Sequence, residues 1–238
     1  MNKLKYRVIN YIGRLWNSFD CPMLGELKFD ILTKVYRIFP LIGGIDFPRL
    51  EEWQFVIKNL PASPAKILDV GATTSLFPFK LKALKYETYC LDQRLPSFSL
   101  PKSIVFCQDN LMDVSIDSDT FDAISCISVI EHVGMGRYND PKCSENGDEK
   151  AIKEMLRILK PTGYLIITTN ICRKTYVYKD EIRYGKDRLD KLISLGKIIK
   201  AEYRYFDGRR WVGCSEQKAF NQKGDDFGLA MYVLTKKQ

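Results

Sequence analysis

The sequence predicts an α/β protein with a mostly parallel sheet of seven strands that ends in an antiparallel hairpin. Three observations support this fold class: apolar strand-like runs alternate with helical segments, the first run stops at a glycine, and no helix need separate the last two runs. Alternation implies parallel strands, because parallel neighbours need crossover connections. We expect residues 1–60 to form a helical cap and residues 61–238 to form the domain that contains the sheet.

The first strand and the turn after it organise the rest of the chain. Residues 66–70 are almost continuously apolar, as in a parallel strand buried on both faces. Gly71 can adopt a tight or left-handed backbone, and Thr73 and Ser75 can cap a following helix. Nucleotides bind at such strand-to-helix turns, at the carboxyl edge of open sheets. An ordinary strand-turn-helix corner is the alternative interpretation.

The remaining elements follow from hydrophobic periodicity and from turn residues. Pro96 and Pro101 predict an irregular connection between the second and third strands. Further strands are expected at residues 87–92, 104–108, 121–129, 164–169, 198–205 and 229–234. Helices are expected at residues 48–60, 76–84, 149–159 and 188–194.

The N-terminal segment has the pattern of a basic amphipathic helix. Apolar residues recur at helical spacing at Leu4, Val8, Ile12, Leu15 and Phe19. This stripe is typical of a helix packed on the main domain. A lid over a substrate pocket and a segment resting on a membrane surface are the alternatives.

Composition narrows the class of protein. The formal charge of +8 favours anionic partners in general. No apolar run of about 18 residues is present, so no membrane-spanning helix is expected. The basic N-terminus lacks the apolar core of a secretory signal. The seven cysteines form no Cys-x-x-Cys pair, which indicates reduced thiols rather than disulfides or a zinc site. We therefore expect a cytoplasmic protein.

Two common nucleotide-binding motifs do not fit the glycine turn. The dinucleotide fingerprint needs three glycines and an acid about 20 residues further on. Gly71 supplies only the first glycine, although Asp92 has the required spacing. A phosphate-binding loop needs a Lys-Ser or Lys-Thr pair after its glycines, and none follows Gly71.

Five short motifs, in order, resemble those of class I S-adenosylmethionine-dependent methyltransferases over residues 64–238. They are ILDVGA at 67–72, LD at 91–92, QD at 108–109, FDAISCISVIEHV at 121–133 and LRILKPTGYL at 156–165. The resemblance implies a Rossmann-like sheet and S-adenosyl-L-methionine as the cofactor. It also assigns cofactor-binding roles to several residues: Asp69, Gly71, Ala72, Thr73, Asp92, Asp109, Asn110 and Ser128.

Each strand end is expected to bind a different part of the cofactor. By resemblance, the turn at Gly71 passes the methionine part of the cofactor, and Asp69 orients its amino group. Asp92 accepts hydrogen bonds from both ribose hydroxyls, which two carboxylate oxygens can do. Asp109 accepts from the adenine amine, and Asn110 offers its backbone N–H to the ring. The family usually carries Gly-x-Gly-x-Gly, whereas threonine and serine replace the second and third glycines here.

The catalytic candidates follow the fourth strand. Glu131 and His132 lie where a methyl acceptor should bind, and His132 is the only histidine in the chain. Its ordinary pKa near 6.5 suits proton abstraction at neutral pH. Capping of a short helix is the alternative role. The pair is similar to part of a Glu-x-x-Glu-His metal signature, but Ser128 replaces the first glutamate, so no metal is expected.

The long polar loop at residues 134–148 supplies two further candidates for the catalytic pocket. Arg137 can bind a carboxylate or phosphate through two hydrogen bonds, and Tyr138 can stack on a ring or sugar. A surface loop without a role is the alternative.

The expected activity is methyl transfer to an oxygen or nitrogen of a small molecule, with a saccharide or cell-surface glycan precursor as one acceptor class. RNA methylation and S-adenosylmethionine binding without catalysis are the alternatives.

Overall fold

The computed structural model describes residues 49–96, 100–136, 146–222 and 226–237. The apolar stripe expected at residues 4–19 lies outside this part of the chain, so the predicted cap stays a prediction except for its last helix. No helix in the described part is long and apolar enough to cross a membrane.

The described elements alternate along the chain much as the sequence predicts. The helices are α1 (Arg49–Asn59), α2 (Phe77–Ala83), α3 (Gly147–Ile158), α4 (Lys186–Ile193) and α5 (Glu216–Phe220). The strands are β1 (Lys66–Val70), β2 (Glu87–Asp92), β3 (Ile104–Gln108), β4 (Phe121–Ile127), β5 (Leu159–Ile171), β6 (Tyr176–Tyr178), β7 (Glu181–Arg183), β8 (Lys197–Phe206), β9 (Trp211–Gly213) and β10 (Gly228–Thr235). Two short 3-10 helices, Ala72–Thr74 and Ile130–His132, follow β1 and β4.

The main sheet has the strand order β3-β2-β1-β4-β5-β10-β8-β9. The first five strands pair in parallel, and β10 is antiparallel to both β5 and β8. The predicted parallel sheet with an antiparallel end is therefore confirmed, and β9 adds an eighth strand. The order reverses between β1 and β4, which is the place where open α/β sheets bind ligands.

Two regions differ from the prediction. The short β9 and α5 lie between the last two long strands, where no helix was expected, and β6 and β7 form a separate hairpin. Strand β5 begins at Leu159, five residues before the strand expected at residues 164–169, and it includes Pro161 and Gly163. The pairing of β4 with β5 shifts register between Phe121 and Ala123. This irregularity accommodates a proline, because proline cannot donate to a regular ladder.

The core lies on both faces of the sheet. Along β5, Leu165 and Ile167 pack with the cluster under α3 and α4, whereas Ile166 packs with the cluster under α1. This two-sided burial explains why the central strands are apolar without alternation. On α1, Phe55 and Val56 are buried in the core, and Glu52 is buried beside them. Helix α1 thus brings one acid to the sheet.

The turn after β1 is held by a close contact with the exit of β4. Gly71 has φ 76° and ψ 36°, and its N–H donates to Leu91 O at 2.8 Å. A Cβ atom at Gly71 would lie 2.5 Å from Cγ2 of Val129. Both the backbone conformation and the lack of space therefore require glycine.

We expect Gly71→Ala to lower the free energy of unfolding by about 2–4 kcal/mol, the sum of left-handed backbone strain and overpacking. Chemical denaturation measures this change. Gly208→Ala is the matched control, because Gly208 also has positive φ but no atom lies within 4 Å of its Cβ position. We expect about 1 kcal/mol there, from strain alone. Equal losses in both variants would contradict the contact with Val129.

Candidate active site

The end of β1 buries an acid directly before the glycine turn. The Asp69 side chain accepts a hydrogen bond from Ser125 Oγ at 2.7 Å, and the residue is 2% exposed. Burial raises the pKa of Asp69 to about 7, although Ser125 and the positive charge of Arg49 act to lower it. Asp69 therefore holds a proton up to nearly neutral pH in the folded protein.

Asp92 ends β2 and is surrounded by hydrogen-bond donors. Its carboxylate accepts from the backbone N–H groups of Thr73 at 3.2 Å and Arg94 at 3.0 Å. The Arg94 guanidinium contacts both carboxylate oxygens, each at 3.2 Å. Burial acts to raise the pKa of Asp92, but the hydrogen bonds from Arg94 and Thr73 outweigh it, and the pKa is lowered. Sequence analysis missed Arg94. Its position two residues after Asp92 was the one indication in the sequence that the two side chains could pair.

Asp109 follows β3 and lies beside Asp92, because its N–H donates to Asp92 O at 3.2 Å. One carboxylate oxygen accepts from the N–H and Oγ of Ser115, at 2.8 and 2.6 Å. The other accepts from the N–H of Asn110 at 2.7 Å. Burial acts to raise the pKa of Asp109, but these hydrogen bonds lower it overall. The N–H expected to face the adenine ring thus donates to Asp109 in this structure.

Ser128 leaves β4 with φ 50° and joins two neighbouring elements. Its N–H donates to O of Thr168 at 3.0 Å, and its hydroxyl donates to Glu52 Oε1. Thr168 Oγ1 donates to the same Glu52 oxygen at 2.6 Å. Sequence analysis missed Glu52, although an acid at helical spacing from Phe55 and Val56 on an apolar stripe was a readable signal.

Glu131 is buried between β4 and β5, with 1% exposure. It accepts from Thr169 Oγ1 at 3.0 Å and lies 3.5 Å from Asn170 Nδ2. Burial raises the pKa of Glu131 to about 8, and the negative charges of Glu52 and Glu181 add to that rise. This carboxyl group is therefore mostly protonated near neutral pH.

His132 lies against the β6–β7 hairpin. Its Nδ1 is 3.2 Å from Asp180 O, and its Nε2 is 4.0 Å from Glu181 Oε2. Glu181 also accepts from Arg183 Nε at 2.9 Å. The histidine that sequence analysis placed near the acceptor thus contacts a hairpin that was not predicted. Arg137 and Tyr138 lie outside the described residues.

The strand order brings most of the predicted cofactor residues together. The ends of β3, β2, β1 and β4 lie side by side at one edge, with Asp109, Asp92, Gly71 and Ser128 immediately at or beyond them. Paired acids beside a glycine turn have the hydrogen-bond acceptors that a nucleoside needs for its hydroxyls and amine. Within the described ranges, no group of three or more His, Cys, Asp or Glu side chains could hold a metal ion.

The raised pKa of Asp69 predicts a pH-dependent stability. The unfolded chain releases this proton near pH 4, whereas the folded protein keeps it to about pH 7. The contribution of Asp69 to stability is therefore greatest below pH 4 and is lost as the pH rises to 7. We expect Asp69→Asn to flatten the fall in unfolding free energy between pH 4 and 7, measured by denaturation at each pH.

Asp92→Asn is the control of opposite sign. The pKa of Asp92 is lowered on folding, so its contribution is present at neutral pH and is lost as the pH falls. Superimposable pH profiles for wild type and Asp69→Asn would contradict the burial of an ionisable Asp69.

Comparisons with known proteins agree with this arrangement. Residues 68–167 match the sequence model of the methyltransferase domain family. The structure is similar to 1,6-didemethyltoxoflavin-N1-methyltransferase from Burkholderia thailandensis, with a TM-score of 0.58, 11% identity and coverage of 87% of each chain. It is also similar to a possible histamine N-methyltransferase from Thermotoga maritima, with a TM-score of 0.55, 18% identity and coverage of 88% of this chain and 98% of that one.

A third similar structure is an S-adenosylmethionine-dependent methyltransferase from Methanosarcina mazei, with a TM-score of 0.53, 15% identity and coverage of 77% of this chain and 98% of that one. No curated protein matches the sequence significantly. The structural similarities support the fold, and the family match covers the strands that carry the site. Residues 68–167 therefore carry a methyltransferase domain, and the fold of the described chain is that of S-adenosylmethionine-dependent methyltransferases, which confirms the resemblance.

Proposed function

We propose that this protein transfers a methyl group from S-adenosyl-L-methionine to an oxygen or nitrogen of a small molecule. The observation that carries the proposal is the pair of adjacent acids, Asp92 and Asp109, beside the left-handed turn at Gly71. The lowered pKa values of both acids keep them ionised and able to accept hydrogen bonds at neutral pH.

The residues present fit the nucleoside part of the cofactor. Asp92 would accept from the ribose hydroxyls, sharing its oxygens with Arg94. Asp109 would accept from the adenine amine, and Asn110 would present its backbone to the ring. Ser128, beside the turn, would lie against the bound cofactor.

The residues of the turn fit the methionine part, despite the two missing glycines. Gly71 and Ala72 would lie along it, and Asp69 would orient its amino group. Thr73 Oγ1 donates to Arg94 O at 3.3 Å, so this side chain points toward the loop after β2 rather than across the turn. Thr73 therefore leaves more room for the cofactor in the turn than its position in the motif suggests.

Bound S-adenosylmethionine supplies an electrophilic methyl group on a sulfonium. The chain has to align the acceptor and exclude water, since an in-line displacement needs little else. His132 and Glu131 follow β4 at the same edge and are the candidates to remove or hold the acceptor's proton. Arg137 and Tyr138, from the following loop, are proposed to contact the acceptor.

Small-molecule acceptors suit a site in which His132 contacts the β6–β7 hairpin and Glu131 is buried. RNA methylation is the second candidate function, and the net charge of +8 favours it.

The five cysteines in the described part of the chain are free thiols, which supports a cytoplasmic location.

We expect Asp92→Asn to weaken binding of S-adenosylhomocysteine by about 10-fold or more, because charge-assisted hydrogen bonds to ribose become neutral ones. Isothermal titration calorimetry measures this affinity. Asp122→Asn is the control: Asp122 also accepts from a backbone N–H, that of Lys66, and from a cation, Lys160, but at the opposite edge of the sheet. Unchanged affinity in Asp92→Asn would contradict the assigned ribose site.

We expect His132→Ala to slow methyl transfer by about 100-fold, because a general base contributes about that factor. The assay transfers radiolabelled methyl groups to an acceptor found in a small-molecule screen. Affinity for S-adenosylhomocysteine should stay unchanged, and the acidic limb of the pH–rate profile should disappear. A wild-type rate would leave His132 as a residue that only anchors the hairpin. Cofactor binding without methylation of any acceptor would favour a non-catalytic protein.

A further inference from the structure

A buried polar cluster lies behind the exit of β4 and connects α1 with the end of β5. Glu52 is fully buried, and its Oε1 accepts from both Ser128 and Thr168. Glu131 accepts from Thr169 on the same strand. The cluster borders the cofactor turn, because the next residue after Ser128 contacts Gly71.

Two acceptor atoms of this cluster have no hydrogen-bond donor in the described part of the chain: Glu52 Oε2 and Asn170 Oδ1. Arg49 Nη1 lies 3.4 Å from Glu52 Oε2 but donates to Ile127 O at 2.8 Å. Asn170 is 7% exposed. Buried polar atoms nearly always have partners, so two exceptions of the same polarity in one cluster require an explanation.

Asn170 and the hydrogen-bond partner of Glu52, Thr168, lie on one face of the sheet. Thr168 and Asn170 are two residues apart on β5, so their side chains leave the strand on the same side, at a spacing of about 7 Å. Glu52 is hydrogen-bonded to Thr168. The nearby Glu131 is within 3.5 Å of the Asn170 amide nitrogen, which leaves only the amide oxygen unsatisfied.

Both unsatisfied atoms are hydrogen-bond acceptors, and this determines which chemical groups could bind there. Two unsatisfied acceptors need two donors, which an amine or ammonium group supplies, whereas a hydroxyl has one O–H and a carboxylate has none. Glu52 also favours a cation, since a carboxylate forms its strongest hydrogen bonds with charged donors. A phosphate or carboxylate at this point would face two acceptors and be rejected.

We propose that Glu52 and Asn170 form a subsite for an amino or ammonium group of the methyl acceptor. The inference rests on the proposed function and narrows its acceptor to amine-bearing small molecules. It is compatible with a saccharide acceptor when the sugar carries an amino group. It also gives α1 a role in substrate recognition.

The test compares matched ligands that differ in one group. The full-length protein is titrated with glucosamine, glucose and glucuronate, and with butylamine, butanol and butyrate, by ligand-observed NMR with and without S-adenosylhomocysteine. We expect the amine of at least one series to bind about 10-fold more tightly than its alcohol and carboxylate analogues. Absence of that preference in both series would overturn the proposal.

Variants of the cluster residues test whether the preference for amines arises at Glu52 and Asn170. In Glu52→Gln, the amide oxygen can still accept from Ser128 and Thr168, while its NH2 group replaces the unsatisfied oxygen with a donor. We expect amine binding to fall by about 10-fold or more with the melting temperature preserved. Asn170→Leu, which replaces the amide oxygen and NH2 with methyl groups on the same branched skeleton, should also weaken it. Glu51→Gln is the control, since Glu51 lies next to Glu52 but pairs with Arg204 at 3.6 Å.

Amine binding that Glu52→Gln and Asn170→Leu leave unchanged would overturn the subsite. The titration with S-adenosylhomocysteine separates this failure from a failure of the proposed function. If the cofactor product binds and the amines show no preference, only the subsite is wrong. If it does not bind while the amines do, the proposed function is wrong, and the cluster binds amines without being a subsite for a methyl acceptor.

Discussion

The contact between Gly71 and Val129 sets the geometry on which the site depends. It fixes how closely the exit of β1 approaches the exit of β4, the two strands between which the sheet order reverses. Any side chain at Gly71 would push these exits apart. The acid at the end of β2 takes its position from the same turn, because Gly71 donates to the backbone of β2 and Thr73 donates to Asp92. Asp109, after β3, is connected to the turn through its N–H, which donates to Asp92 O.

The buried acids of this edge have pKa values that shift in opposite directions. Asp69 and Glu131 have too few donors to offset desolvation, so their pKa values rise to about 7 and about 8. Asp92 is also largely buried, but a guanidinium and two backbone N–H groups surround it, and its pKa falls. The neutral acids are therefore Asp69, directly before the glycine turn, and Glu131, on the proposed acceptor side, whereas the ionised Asp92 lies at the proposed ribose site. The difference comes from the number of donors, not from depth alone.

Elements outside the sheet complete the acceptor side. Helix α1 contributes Glu52, and the β6–β7 hairpin contributes the groups around His132. Helix α1 precedes the first strand in the chain, and the β6–β7 hairpin follows the fifth strand. The sheet thus provides the edge at which the cofactor is expected, while these additions surround the residues that we propose to meet the acceptor.

The sequence by itself determined the fold class, the glycine turn and the acids at the strand ends, because these depend on local patterns. The patterns are apolar runs, a residue able to adopt positive φ, and short polar residues directly after a strand. It also located Glu131 and His132 beyond β4. Only the tertiary structure decided what surrounds them. The pairing of Arg94 with Asp92, the burial of Glu52 against Ser128 and Thr168, and the contact of His132 with Glu181 depend on long-range packing. The Glu52–Thr168 pair joins residues far apart in sequence. No local pattern specifies such a contact, since desolvation and hydrogen-bond partners are set by what packs nearby.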